Sequence, residues 1–163
     1  MEIGKLTWKE KFSSIVLITI GIILLLLQIV SILSNTDSMI STEPNSISIK
    51  KSELIDHLRF FIMMLIALAS GILLYKQKKL GWIIAIPFLL ISIFLSGYFI
   101  WFLYVMYLIP AFILMIVGFT IMVVSVLFLL IPAGRQKYRV DKRTYLPTLL
   151  VLIAICCIFF FLK

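Results

Sequence analysis

The sequence predicts an all-α fold: a polytopic integral membrane protein with five transmembrane helices, its N-terminus cytoplasmic and its C-terminus outside. Three observations predict it. Hydrophobic residues make up 63% of the 163 residues and charged residues 13%, with a mean hydropathy of +1.21, whereas a soluble domain is roughly 45–50% apolar and about 25% charged. Apolar stretches of about 20 residues, enough to cross a hydrocarbon core of about 30 Å, recur along the whole chain. The loops between them alternate between basic and not basic.

The first span is read over 12–33. Its apolar core, Ile15 to Leu33, exceeds a signal-peptide core of about 7–15 residues. The following Ser31-Ile32-Leu33-Ser34 is a poor cleavage site, which predicts an uncleaved signal anchor. Ahead of it, Thr7-Trp8-Lys9-Glu10 fits a capping box, predicting a short N-terminal interfacial helix with Trp8 at headgroup depth. The second span is read over 56–75 and stops before Lys76-Gln77-Lys78-Lys79. The third, over 80–98, contains Pro87, which removes a backbone hydrogen bond and predicts a kink. The fourth, over 110–131, opens on Pro110, and the fifth, over 146–162, opens near Pro147; proline favours the first turn of a helix.

Between the spans lie an outer loop at 34–55, inner basic loops at 76–79 and 132–145, and an aromatic outer hairpin at 99–109. The outer loop is polar, with a Glu43-Pro44 turn signal and a short strand-like alternation at Ser46-Ile47-Ser48-Ile49. The hairpin carries Trp101, Tyr104 and Tyr107, residues that settle in the headgroup layer. The alternative is a longer third helix that turns tightly near Met106.

Orientation follows from the basic residues. Lys5, Lys9, Lys11, Lys76, Lys78, Lys79, Arg135, Lys137, Arg139, Lys142 and Arg143 fall on one side, accompanied only by Glu2, Glu10 and Asp141. Lys50, Lys51, Arg59 and Lys163 fall on the other, balanced by Asp37, Glu43, Glu53 and Asp56. The positive-inside rule makes the first side cytoplasmic. The chain's net charge of +8 is therefore an orientation and lipid-headgroup signal and not a nucleic-acid footprint. Its isoleucine, phenylalanine and lysine richness and short loops point to a bacterial inner (cytoplasmic) membrane.

The chemistry-bearing residues are few. Glu53, Asp56, His57 and Arg59 cluster at the outer mouth of the second span, where they suit a partner contact or proton chemistry. Helix capping by Ser52, the helix dipole, and Asp56–Arg59 and Glu53–His57 pairs account for the same residues. The Asp56-His57 pair resembles the outer Asp-His of VanZ-like membrane proteins. The acidic and glutamine positions that family carries in a later helix are absent from 80–98, so the resemblance implies no role here. Gln28, near the middle of the first span, suits a hydrogen bond across a helix interface. Ala67 and Gly71 sit at small-xxx-small spacing and suit close helix packing.

No span carries Asp, Glu, Lys, Arg or His at its centre, which argues against a proton-coupled carrier, the small multidrug type included. Neither H-E-x-x-H nor G-x-S-x-G occurs, and the single histidine builds no metal or haem-ligand set. Adjacent Cys156 and Cys157 lie about 100° apart on a helix and form neither a disulfide nor a metal pair. No catalytic residue, cofactor or metal is therefore expected. The leading expectation is a non-catalytic accessory or scaffold subunit whose partners are the lipid bilayer and other membrane subunits, with no nucleic acid. Alternatives are an immunity or resistance protein binding a toxin or antimicrobial peptide through its outer loop, and a transporter or channel component.

Overall fold

The computed structural model describes residues 7–39, 51–138 and 140–161, among which every element is helical. The helices are α1 (Trp8–Met39), α2 (Lys51–Tyr75), α3 (Lys79–Val105), α4 (Ile109–Leu130), α5 (Pro132–Lys137) and α6 (Lys142–Phe161). Four of them are long and apolar enough to cross a membrane: α1 over Trp8–Ser34, α2 over His57–Tyr75, α3 and α4. The molecule thus has the character of a helical, multi-pass membrane protein.

Several boundaries differ from the sequence reading. Among the described residues no separate interfacial helix precedes the first span, because α1 is continuous from Trp8. Thr7 donates its N–H to Glu10 Oε2 at 2.8 Å and accepts from Lys11 N–H at 3.0 Å. The capping box therefore starts the membrane helix itself. Half of the expected outer loop 34–55 is helical, since α1 runs to Met39 and α2 begins at Lys51, and residues 40–50 lie outside the described residues. No glycine or proline interrupts either extension. Ser52, read as a cap, consequently lies inside α2. The Glu43-Pro44 turn and the Ser46–Ile49 strand fall outside the described residues.

The stretch read as an outer hairpin is mostly helix. α3 continues through Trp101 to Val105, and only Met106–Leu108 make the turn into α4, the second of the two arrangements weighed above. The basic loop expected at 132–145 contains the short α5, and α6 starts at Lys142, placing Pro147 inside the helix. Asp141 donates its N–H to Thr144 Oγ1 at 3.2 Å, a side-chain cap, while Thr144 N–H donates to the Asp141 backbone carbonyl at 2.8 Å in the first turn. This cap from Thr144 accompanies a start five residues earlier than Pro147 alone would give.

Both tight turns close with the same device. After α2, Gln77 adopts φ 55°, Gln77 N–H donates to Leu74 and Lys78 N–H to Leu73. After α3, Tyr107 adopts φ 56°, with bonds from Tyr107 to Tyr104 and from Leu108 to Leu103. These are Schellman closures, in which a left-handed residue caps the last carbonyls. Neither position is glycine, so each carries backbone strain of order 1–3 kcal/mol.

The first four helices run alternately up and down. α1 packs on α2, α2 on α3, α3 on α4, and α4 closes back on α1. α6 packs on α3 from outside this ring. It runs parallel to α3, since Tyr145 meets Trp82 near the start of both helices. The starts of α1, α3 and α6 therefore share one end with the 76–78 turn and α5. That end gathers the segments whose sequence is basic.

Candidate functional site

The basic end is held by side chains that bond across helices. Glu10, in the first turn of α1 and 4% exposed, accepts a charged hydrogen bond from Lys137 of α5 at 2.8 Å. Its other oxygen, Oε1, is buried without a hydrogen-bond partner among the described residues. Beside it the buried Tyr138 hydroxyl reaches toward the Leu74 carbonyl at 3.4 Å. Burial, and secondly the negative charge of Glu10, push this phenol above its ordinary range.

Neighbouring polar groups do the same work without charge. Ser14 Oγ donates to the Gly71 carbonyl of α2 at 2.6 Å. Ser13 Oγ lies 3.1 Å from the Lys9 carbonyl and 3.2 Å from the Ser125 carbonyl of α4. The buried Trp82 indole donates to the Leu129 carbonyl at 3.1 Å, tying α3 to α4. In an apolar setting each such bond satisfies a group that would otherwise be stranded. Trp8, Phe12 and Phe128 interlock at centroid distances of 5.7–5.8 Å, with the Lys9 ammonium 5.7 Å from the Phe128 ring.

Close backbone approach completes this end. Ala67 is fully buried, and a Cβ at Gly71 would meet Ser14 O and Ile18 N at 3.1 Å. A Cβ at Gly81 would lie 2.5 Å from Leu74 N, so only glycine admits this crossing of α3 over α2.

The opposite end is built differently. Gln28 Nε2 donates to His57 Nδ1 at 2.8 Å, joining α1 to α2. Gln28 is thus bonded within the chain. Glu53 and Asp56 lie on the first turns of α2, but their side chains are outside the described residues. Arg59 is half-buried. Trp101 and Tyr104 are exposed, and Tyr107 at the turn is 87% exposed. Trp101 neighbours Tyr98 and Tyr104 neighbours Phe112, so the aromatics form two local pairs along α3 and α4. Of the residues singled out in the sequence, the structure brings together Gln28 with His57 and Gly71 with α1, and buries Ala67 in the core.

Burial is unequal between the two halves. In α1 no residue from Ile22 to Ser34 is buried; in α3 none after Ser96 is; in α4 none before Ser125 is. In α2 burial begins at Met63 among the described side chains. A Cβ at Gly118, in the middle of α4, would meet nothing within 4 Å. Among the described residues no group of three or more His, Cys, Asp or Glu could hold a metal ion.

Sequence reasoning missed the Glu10–Lys137 pair, Tyr138 and the serine and tryptophan bonds. Glu10 carried a visible capping signal, but nothing local pointed to a partner 127 residues away. No protein-family model, curated protein or solved structure matches this chain.

Proposed function

We propose that the protein is a non-catalytic accessory subunit of a larger membrane protein complex, in a bacterial inner membrane, and that its outer half packs against a partner. The observation carrying this reading is the unequal burial: the outer stretches of α1, α3 and α4 expose apolar surface with few internal contacts. Gly118 sharpens it. Small residues on membrane helices let another backbone approach closely, and the space facing Gly118 is open. The buried polar side chains of the other half support the same reading, because Ser13, Ser14 and Trp82 are spent on bonds between helices.

In this reading α6 is a fifth span and the basic end is cytoplasmic. The convergence of Lys9, Lys11, Lys76, Lys78, Arg135 and Lys137 at one end agrees with the positive-inside rule. Single cysteines in a background lacking Cys156 and Cys157 test it. Tyr107→Cys should react with an impermeant maleimide on intact cells, and Lys76→Cys only after permeabilisation. The reverse pattern rejects the orientation.

The function is tested by gentle detergent purification of tagged protein from its native membrane, followed by mass spectrometry. A stoichiometric membrane partner retained through washing is the expected result. A monodisperse chain alone rejects the accessory reading.

A further inference from the structure

Between α3 and α6 runs a groove of about 330 Å³ lined by Ile86, Pro87, Leu90, Tyr145, Leu149 and Leu152, with Thr148 as a further member. It is almost wholly apolar, and Thr148 spends its hydroxyl proton on the Thr144 carbonyl at 2.9 Å. The Trp82 and Tyr145 rings meet edge to face at 6.4 Å, marking the groove's end toward the basic face. Helical register then sets what lies beyond. Lys142 is three residues before Tyr145, and Lys79 is seven residues before Ile86, so each continues the groove-lining stripe of its own helix. Both lysines are exposed, as is the neighbouring Arg143. Asp141, an acid next to Lys142 in sequence, sits at the cap of α6.

An apolar channel, an aromatic collar and then paired cations follow the order of acyl chain, interface and phosphate in one phospholipid. We infer that the α3–α6 groove binds a single anionic phospholipid from the leaflet at the basic end, its acyl chain beside Pro87 and its phosphate on Lys79 and Lys142. Charge complementarity selects this occupant, because a second copy of the chain would bring the same lysines against each other. The inference rests on α6 lying in the membrane, but not on the accessory role.

Native mass spectrometry of the detergent-purified full chain tests it, with phosphatidylglycerol and phosphatidylcholine of equal chain length offered together. One retained phosphatidylglycerol is expected in preference to phosphatidylcholine. Lysines near an anionic headgroup contribute about fivefold each, so Lys79→Gln and Lys142→Gln should each weaken retention by that factor. Both side chains are exposed, and neither change threatens folding. Leu149→Trp, which fills the groove, should abolish retention with both lysines present. On the unaltered chain, inorganic phosphate and dihexanoyl phosphatidylglycerol should fail to displace the long-chain lipid. Equal retention of the two lipids, indifference to the lysine changes, or displacement by inorganic phosphate overturns the inference. So does a dimer in place of the lipid adduct that Leu149→Trp dissolves. Loss of a protein partner in the purification described above leaves the lipid result unaffected, so the two readings fail separately.

Discussion

Removing Lys137 should cost more stability than removing Glu10, although the two make one ion pair. At 2.8 Å, and at an effective dielectric of about 20, the gross attraction is about 6 kcal/mol. Desolvation offsets most of it, at several kcal/mol per buried ion. What decides each variant is therefore the charge left behind. Lys137→Met leaves the Glu10 carboxylate, 4% exposed, with the Thr7 N–H as its hydrogen-bond donor and Oε1 already without a partner among the described residues. Stranding a buried charge costs about 3–5 kcal/mol; proximity to headgroup water lowers the expectation here to about 2–4 kcal/mol. Glu10→Gln keeps an oxygen for the Thr7 N–H and leaves Lys137, 18% exposed, able to turn toward water. Its expected cost is about 1 kcal/mol.

The double variant should cost little more than Glu10→Gln alone, giving a coupling energy of about 2–4 kcal/mol in magnitude. Equilibrium unfolding in mixed micelles, followed by tryptophan fluorescence, reads all four corners of the cycle. Trp82 is 1% exposed at the same end of the bundle and reports its opening. A Lys137→Met variant within about 0.5 kcal/mol of the parent, or additive costs in the double variant, would refute the reasoning.

Three further outcomes follow from the same geometry. Burial, then Glu10, hold the Tyr138 phenol above its ordinary value of 10.0, so its contribution is complete below pH ~10 and is lost above it as the unfolded chain ionises first. The loss is at most ~1.4 kcal/mol per pH unit, and the alkaline slope of stability should be shallower in Tyr138→Phe. Gln28→Leu and His57→Ala should each lose about 0.6–2 kcal/mol and be non-additive in the same unfolding assay, as expected of one shared interhelical bond. Gln77→Gly should stabilise the α2–α3 turn by about 1 kcal/mol by relieving the left-handed backbone, whereas Gln77→Val should destabilise it; equal stability of the two variants would contradict the turn geometry.

The helical membrane character was legible because bilayer thickness imposes an unmistakable apolar length on each crossing. Helix ends were less so. The reading stopped α1 at Leu33 and started α2 at Asp56 because polarity rises there, yet Ser34–Met39 and Lys51–Ile55 lack glycine and proline and continue the helices. Polarity marks where hydrocarbon ends, not where helix ends. Trp101 and Tyr104 misled in the same way, since an interfacial preference says nothing against remaining in α3. Gln28, Ala67 and Gly71 were recognisable as packing residues from local spacing, whereas their partners His57, Ser14 and Ile18 were not. Glu10 shows the limit most plainly: its capping role is a three-residue signal, and its ion pair is a product of the tertiary fold.

The division of the bundle into a bonded half and an open half has a physical origin that also provides a test. Lipid tails solvate leucine as well as another helix does, so apolar surface alone does not draw membrane helices together. Close packing and polar bonds must do it, and here they are concentrated at Glu10–Ser14, Gly71–Trp82 and Ser125–Tyr138. Away from the basic end, Gln28 is the one side chain of α1 shown bonding to another helix among the described residues, and much of the apolar surface of α1 and α4 there is open to a partner helix. Gly118 separates the two possibilities for that surface. Because nothing lies within 4 Å of a Cβ there, Gly118→Leu meets no internal obstruction and gains helix propensity of up to about 1 kcal/mol. The isolated chain should therefore unfold at the same or slightly higher denaturant. A partner seated against α4 would instead be pushed outward by the leucine, and its recovery in the native purification should fall severalfold. Unchanged recovery would place the partner elsewhere, and a destabilised isolated chain would show that the space beside Gly118 is already filled.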